Sequence, residues 1–213
     1  MPARKPLSTR PPEPLELERV AELPVETRAL ARALIGCVLV RETADGVTAG
    51  RIVETEAYLP ADPACHAFTG RSARNATLFG PPHRAYVYLI YGTSFCCNVA
   101  SEVDGQGAGV LFRALEPMAG LALMERRRGG VPVRDLCRGP GRLSAALAID
   151  RSLDGIDLLS DRRLWLARPP AGSPRLKVRT SRRIGLTRAS ERRLRYYAAG
   201  SPWISGPARL SPP

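Results

Sequence analysis

The sequence predicts a single α+β domain, with a curved, mostly antiparallel β-sheet surrounded by helices. Three observations lead there. The 213 residues suit one domain of the larger kind, and no internal repeat or shift of composition divides them. Strand-like runs cluster between residues 37 and 115, and the first two are joined by a hairpin signal, Ala44-Asp45-Gly46. Helical patterns flank and interrupt that cluster. The expected division is a disordered Pro/Arg-rich tail over 1–15, the domain over 16–206, and a C-terminal tail over 207–213.

Each element has a local reason. Pro24 opens a helix over 25–35, Leu30, Ala33 and Leu34 give it one apolar face, and Gly36 stops it. Residues 37–42 form a strand, and the chain returns over 47–58. Pro60, Pro63 and Gly70 mark a long loop that carries His66, Arg71, Arg74 and Asn75, and Gly80-Pro81-Pro82 closes it. Residues 85–91 alternate, with Tyr86, Tyr88 and Ile90 on one face and Val87, Leu89 and Tyr91 on the other. Strands follow over 95–100 and 109–115. Pro117 suits the first turn of a helix reaching Arg128, whose terminal arginines complement the helix dipole. Gly139-Pro140-Gly141 leads into a helix over 142–148. Residues 164–167, 176–180 and 194–197 are later strands, with a loop over 169–174.

Charge is uneven. The formal net charge is +12. Residues 1–125 hold one Lys and 11 Arg against 14 acids, a balance of −2, whereas residues 126–213 hold one Lys and 19 Arg against 6 acids, a balance of +14. A basic half suits a polyanion, nucleic acid before acidic membrane. The five cysteines, Cys37, Cys65, Cys96, Cys97 and Cys137, are odd in number and lack a CxxC spacing. They indicate neither a disulfide framework nor a zinc site. Neither a signal peptide nor a run of about eighteen apolar residues occurs. The expectation is a soluble cytoplasmic protein, nucleoid-associated if the source is a bacterium.

The chain lacks a P-loop and the zinc deaminase pattern. With His66 and His83 as its only histidines, it is poorly supplied for a Ser-His-Asp hydrolase. Its only lysines are Lys5 and Lys177, so Lys177 is the one internal amine for Schiff-base chemistry. Glu54 and Glu56 share one strand face in a largely apolar run, with Tyr58 on the face of Glu56. A strand pair of this kind is usually an exposed polar stripe. A carboxylate beside an aromatic ring can instead serve as a general base. Tyr86 suits the core, and Tyr91, beside Gly92, sits where a turn exposes it. Gly139-Pro140-Gly141 loosely resembles a hairpin that offers N–H groups to phosphate.

Taken together, these residues resemble the alkyladenine (3-methyladenine) DNA glycosylase family over about residues 29–203. The motifs are Arg51-Ile52-Val53-Glu54-Thr55-Glu56-Ala57-Tyr58, Tyr86-Val87-Tyr88-Leu89-Ile90-Tyr91-Gly92, Arg113-Ala114-Leu115-Glu116-Pro117, Gly139-Pro140 and Ser201-Pro202-Trp203. The resemblance implies a monofunctional enzyme of base-excision repair. Such an enzyme flips alkylated or deaminated purines out of double-stranded DNA and hydrolyses the N-glycosidic bond with an activated water. It implies Glu56 as general base, Arg113 as its partner in holding the water, and the Ile184 carbonyl as a third contact. Tyr58 would stack on one face of the flipped base, with His66 and Tyr88 on the other. Asn98 would exclude guanine at the pocket floor, and Tyr91 would be the wedge in the DNA stack. Glu54 shares the strand face but not the implied role. No cofactor and no metal are expected, and the protein is expected to be a monomer without a membrane partner. The chain departs from the commonest family wording at His83, where many relatives carry Gly, and at Thr93-Ser94-Phe95. The rival readings are a non-catalytic DNA-binding protein of the same fold and a bifunctional glycosylase/lyase acting through Lys177.

Overall fold

The computed structural model describes residues 16–211; the expected tail over 1–15 lies outside them. Eight strands form one sheet in which every strand pairing is antiparallel. They are β1 (Val38–Thr43), β2 (Gly46–Tyr58), β3 (Ala85–Ile90), β4 (Ser94–Ala100), β5 (Gly109–Ala119), β6 (Leu164–Ala167), β7 (Val178–Ser181) and β8 (Arg195–Ala198). The main path runs β3-β4-β5-β2-β1-β6, with β8 added to β2 and β7 to β8. Helices α1 (Thr27–Ala33), α2 (Leu121–Arg127) and α3 (Pro140–Ala146) surround it. This is the α+β class that the sequence predicts.

The 13-residue β2 is the spine. It pairs with β1, β5 and β8. A strand covered on both edges and both faces must satisfy every backbone group internally, and residues 48–57 are buried throughout. The largest apolar cluster gathers Leu30 of α1 and Leu34 at its C-cap, Ile52 of β2, Phe112 and Leu115 of β5, and Leu143 of α3.

Two boundaries differ from the sequence reading for physical reasons. Helix α1 starts at Thr27, because the Glu26 carboxylate accepts from the N–H groups of Arg28 and Ala29 and so sets the N-cap. Pro117 does not open a helix. It lies in β5 opposite Gly50, beside a register shift, where a residue without an N–H is tolerated in a strand. The helix begins after Gly120, whose φ is +71° and whose place a Cβ could take only at 2.3 Å from the Val47 carbonyl oxygen.

The C-terminal segment is tied to the domain. A 3-10 turn covers Ala208–Leu210, and the Leu210 carbonyl and Ser211 hydroxyl both accept from the buried Arg195. The cysteines are free, four of them buried. Among the described residues, no helix is long and apolar enough to cross a membrane.

Candidate active site

Two irregularities in β2 and β5 build the site. Glu54 pairs with Ala114 and Thr55 with Phe112, so Arg113 is the extra residue of a bulge. A bulge re-aims the side chain it carries. Here it sends the guanidinium toward β2, with Nη1 at 3.3 Å from Glu56 Oε2 and Nε at 3.3 Å from Glu54 Oε1. Both glutamates are fully buried. The exposed polar stripe that such a pair usually makes is therefore absent.

Three donors hold Glu56. The Arg113 guanidinium and the Tyr58 hydroxyl, at 3.0 Å, reach Oε2, and the Ile184 N–H donates to Oε1 at 2.8 Å. The family resemblance implies a role for the Ile184 carbonyl; the contact made in the structure is through its amide. Burial pushes the Glu56 carboxyl above its ordinary value, and Glu54 pushes the same way. Arg113, the Ile184 N–H and the Tyr58 hydroxyl pull against them.

A cleft of about 400 Å³ is lined by Tyr58, Arg113 and Ile184, the three residues that hold this carboxylate, whereas the buried Glu56 is not itself among its lining residues. Tyr58, His66, Tyr88, Asn98, Arg113 and Ile184 all line it, as does Tyr91. Segments more than a hundred residues apart thus meet at one cavity. Lys177 is exposed and is not among the lining residues.

Aromatic rings make the walls. Tyr86 and Tyr88 project from the same face of β3 with ring centroids 5.3 Å apart. His66 meets the Tyr88 ring edge-on at 4.5 Å, and its Nδ1 lies 3.1 Å from the Tyr86 hydroxyl. Tyr86 is buried, as its sequence suggests, but its hydroxyl also orients a wall residue. Burial and the nearby Arg74 lower the His66 pKa, which favours a neutral ring. The Asn98 amide donates to the Tyr86 carbonyl at 3.1 Å, which fixes its orientation.

Behind Tyr58 lies a pair that the sequence reading missed. The Arg183 guanidinium stacks on the Tyr58 ring at 4.6 Å and forms a two-pronged ion pair with Asp62. Both charged side chains are fully buried. Arg183 directly precedes Ile184, so the same anchor holds the amide that reaches Glu56.

Tyr91 stands apart from this packing. The residue is 89% exposed, and its φ is +54°. A bulky residue in the left-handed region costs about 1–2 kcal/mol relative to the ordinary basin. The turn between β3 and β4 carries that cost, since it places both Tyr91 and Gly92 at positive φ. Gly92 follows at φ +68°, and the Thr93 N–H closes the turn on the Ile90 carbonyl. His83 also has positive φ, +65°, and its Nε2 lies 3.1 Å from the Pro24 carbonyl oxygen. That backbone conformation is one that favours glycine.

A family model for methylpurine-DNA glycosylases matches residues 21–202, most of the chain. The chain belongs to the methylpurine-DNA glycosylase family. Membership makes it a DNA glycosylase, a base-excision repair hydrolase acting on N-glycosyl bonds, and does not favour the non-catalytic rival. Individual relatives agree. The chain is 53% identical over 190 residues to a Mesorhizobium japonicum protein named "Putative 3-methyladenine DNA glycosylase", covering 89% of this chain and 90% of that one. It is 48% identical over 193 residues to the mouse protein named "DNA-3-methyladenine glycosylase", covering 83% of this chain and 57% of the mouse protein. Among the described residues, no group of three His, Cys, Asp or Glu could hold a metal ion.

Proposed function

We propose that this glycosylase removes alkylated or deaminated purines, 3-methyladenine among them, from double-stranded DNA. The supporting observation is a buried carboxylate held by Arg113, Tyr58 and Ile184, three residues that line an aromatic cleft. In this reading a water on Glu56 Oε2, beside Arg113, attacks the anomeric carbon as the base departs. Glu56 takes the proton from that water, and its negative charge stabilises the positive charge developing on the sugar. The water oxygen becomes the new sugar hydroxyl, and the base leaves with the electrons of the broken bond.

The flipped purine lies in the cleft. One face of Tyr58 is covered by Arg183, so its other face is the one that can stack. His66 and Tyr88 form the opposite wall, and Asn98 opposes the guanine amino group at the floor. Ile184 lines the cleft and holds Glu56 through its amide. Damaged bases cost less to extrude, and cationic alkylpurines both leave easily and stack well on tyrosine.

The test is excision from a panel of single-lesion duplexes, followed with and without alkali. The expected product is an intact abasic strand that breaks only after alkali. Scission without alkali, with borohydride trapping of the protein on DNA, would support a lyase acting through Lys177.

The wedge can be tested separately. Base–aromatic stacking is worth about 1–3 kcal/mol. Tyr91→Ala should therefore weaken binding to lesion duplex by roughly 5- to 100-fold, since nothing fills the gap left by the base. Binding to undamaged duplex should change less. Equal losses on both duplexes would make Tyr91 a general surface contact instead.

A further inference from the structure

Glu54 is the buried carboxylate that the chemistry above leaves unused. It lies two residues before Glu56 and is fully buried. Its own counter-ion is already present. The Arg195 Nε donates to its Oε1, the Ser205 N–H donates to its Oε2, and the Ser205 hydroxyl reaches Oε1 at 3.0 Å. Arg195 spends its other donors on Ser181, Ser205, Leu210 and Ser211, which joins Glu54 to the C-terminal segment.

Glu54 nevertheless also faces Arg113, at 3.3 Å from Nε. That nitrogen is buried and has no hydrogen-bond partner, so the contact is one of charge rather than of a directed bond. One guanidinium thus lies between two buried carboxylates. The groups facing Glu56 are Glu54 and Tyr58 on β2, Arg113 on β5, Arg195 opposite it on β8, and the Arg183–Asp62 pair beyond Tyr58.

We propose that Glu54 is a positioning residue for base excision: by sharing the Arg113 guanidinium, it fixes Arg113 and leaves Glu56 only partly neutralised. This rests on the reading of Glu56 as the base. A carboxylate that owned Arg113 outright would be a stable ion and a weak proton acceptor. With a second carboxylate on the same cation, Glu56 retains more basicity. Burial raises the Glu56 pKa first, and the charge of Glu54 raises it further.

The test is the pH profile of single-turnover excision. Glu54→Gln keeps the side-chain size and removes the charge. The acid limb should then move down by about half to one pH unit, because Arg113 now favours the Glu56 anion alone. The plateau rate should fall by about tenfold, as a weaker base removes the proton. Lesion-duplex affinity should stay close to wild type. A lower rate with an unmoved acid limb would overturn the proposal and leave Glu54 as a support of the fold.

Losing one member of a buried pair can prevent folding. In that event Glu54→Asp decides, since it keeps the charge and withdraws the carboxylate by one methylene. A lower plateau with wild-type Tm and lesion-duplex affinity supports the positioning role, and a wild-type plateau, or a lower one that comes with a matching loss of Tm, overturns it. An active Glu56→Gln protein would instead sink the underlying reading of the base. The two failures are therefore distinct.

Discussion

Glu56→Gln should reduce excision by at least about 10²–10⁴-fold, the usual contribution of a general base, while lesion-duplex binding stays near wild type. The substitution preserves size but leaves one acceptor oxygen, which can serve either the Ile184 N–H or the Arg113 guanidinium and not both. What it removes is the basic oxygen and the negative charge beside the developing positive sugar. Both roles belong to the transition state, so the loss should appear in the single-turnover rate and not in affinity. The wild-type enzyme should also lose activity on the acid side at a pH above the ordinary carboxylate range. Burial and Glu54 hold the Glu56 pKa up, and the base works only when deprotonated. A Glu56→Gln protein that excises at the wild-type rate would show that another group activates the water.

The legible parts of this chain are those set by local pattern. The β1–β2 hairpin follows from Ala44-Asp45-Gly46 and the alternation on either side of it. The face shared by Glu54 and Glu56 follows from the two-residue repeat of a strand, and both side chains do reach the same guanidinium. Their burial was not legible. It depends on a bulge that turns Arg113 inward and on Arg195, more than a hundred residues away in sequence. Pro117 misled because a proline at the first turn of a helix and a proline at a strand bulge look alike locally. The choice was made by Gly120 packing on Val47, a tertiary contact. The sequence places Tyr86 in the core, where it lies, but the link from its hydroxyl to His66 reaches a loop with no periodicity. Asp62 carried no signal at all. It is one acid in a Pro-rich loop, and its partner Arg183 lies 121 positions later.

Asp62→Ala should destabilise the fold and slow excision together. Asp62 and Arg183 are fully buried and joined through both guanidinium Nη atoms, at 2.6 and 3.1 Å. Removing the carboxylate strands a cation whose other acceptors are the backbone carbonyls of Ala57 and Ala189. Breaking such a pair costs about 3–5 kcal/mol, which for a chain of this size lowers Tm by roughly 6–20 °C. Burial alone would raise the Asp62 pKa, but the bonds from Arg183 and the Ala64 N–H outweigh it and lower the value. The folded-state pKa is thus below the unfolded one. The stability from this pair is therefore complete above the ordinary aspartate range and is lost as the pH falls through the lowered value. The site should suffer as well, because Arg183 backs the Tyr58 ring and carries the Ile184 amide to Glu56. Asp104→Ala, at an exposed acid, should leave both Tm and rate near wild type. Asp62→Ala combined with Arg183→Leu separates the two effects. It buries no orphan charge, so much of the Tm should return, yet Tyr58 and Ile184 lose their anchor and excision should stay slow. If the double variant recovers the rate along with the Tm, the pair serves stability alone and does not position the site.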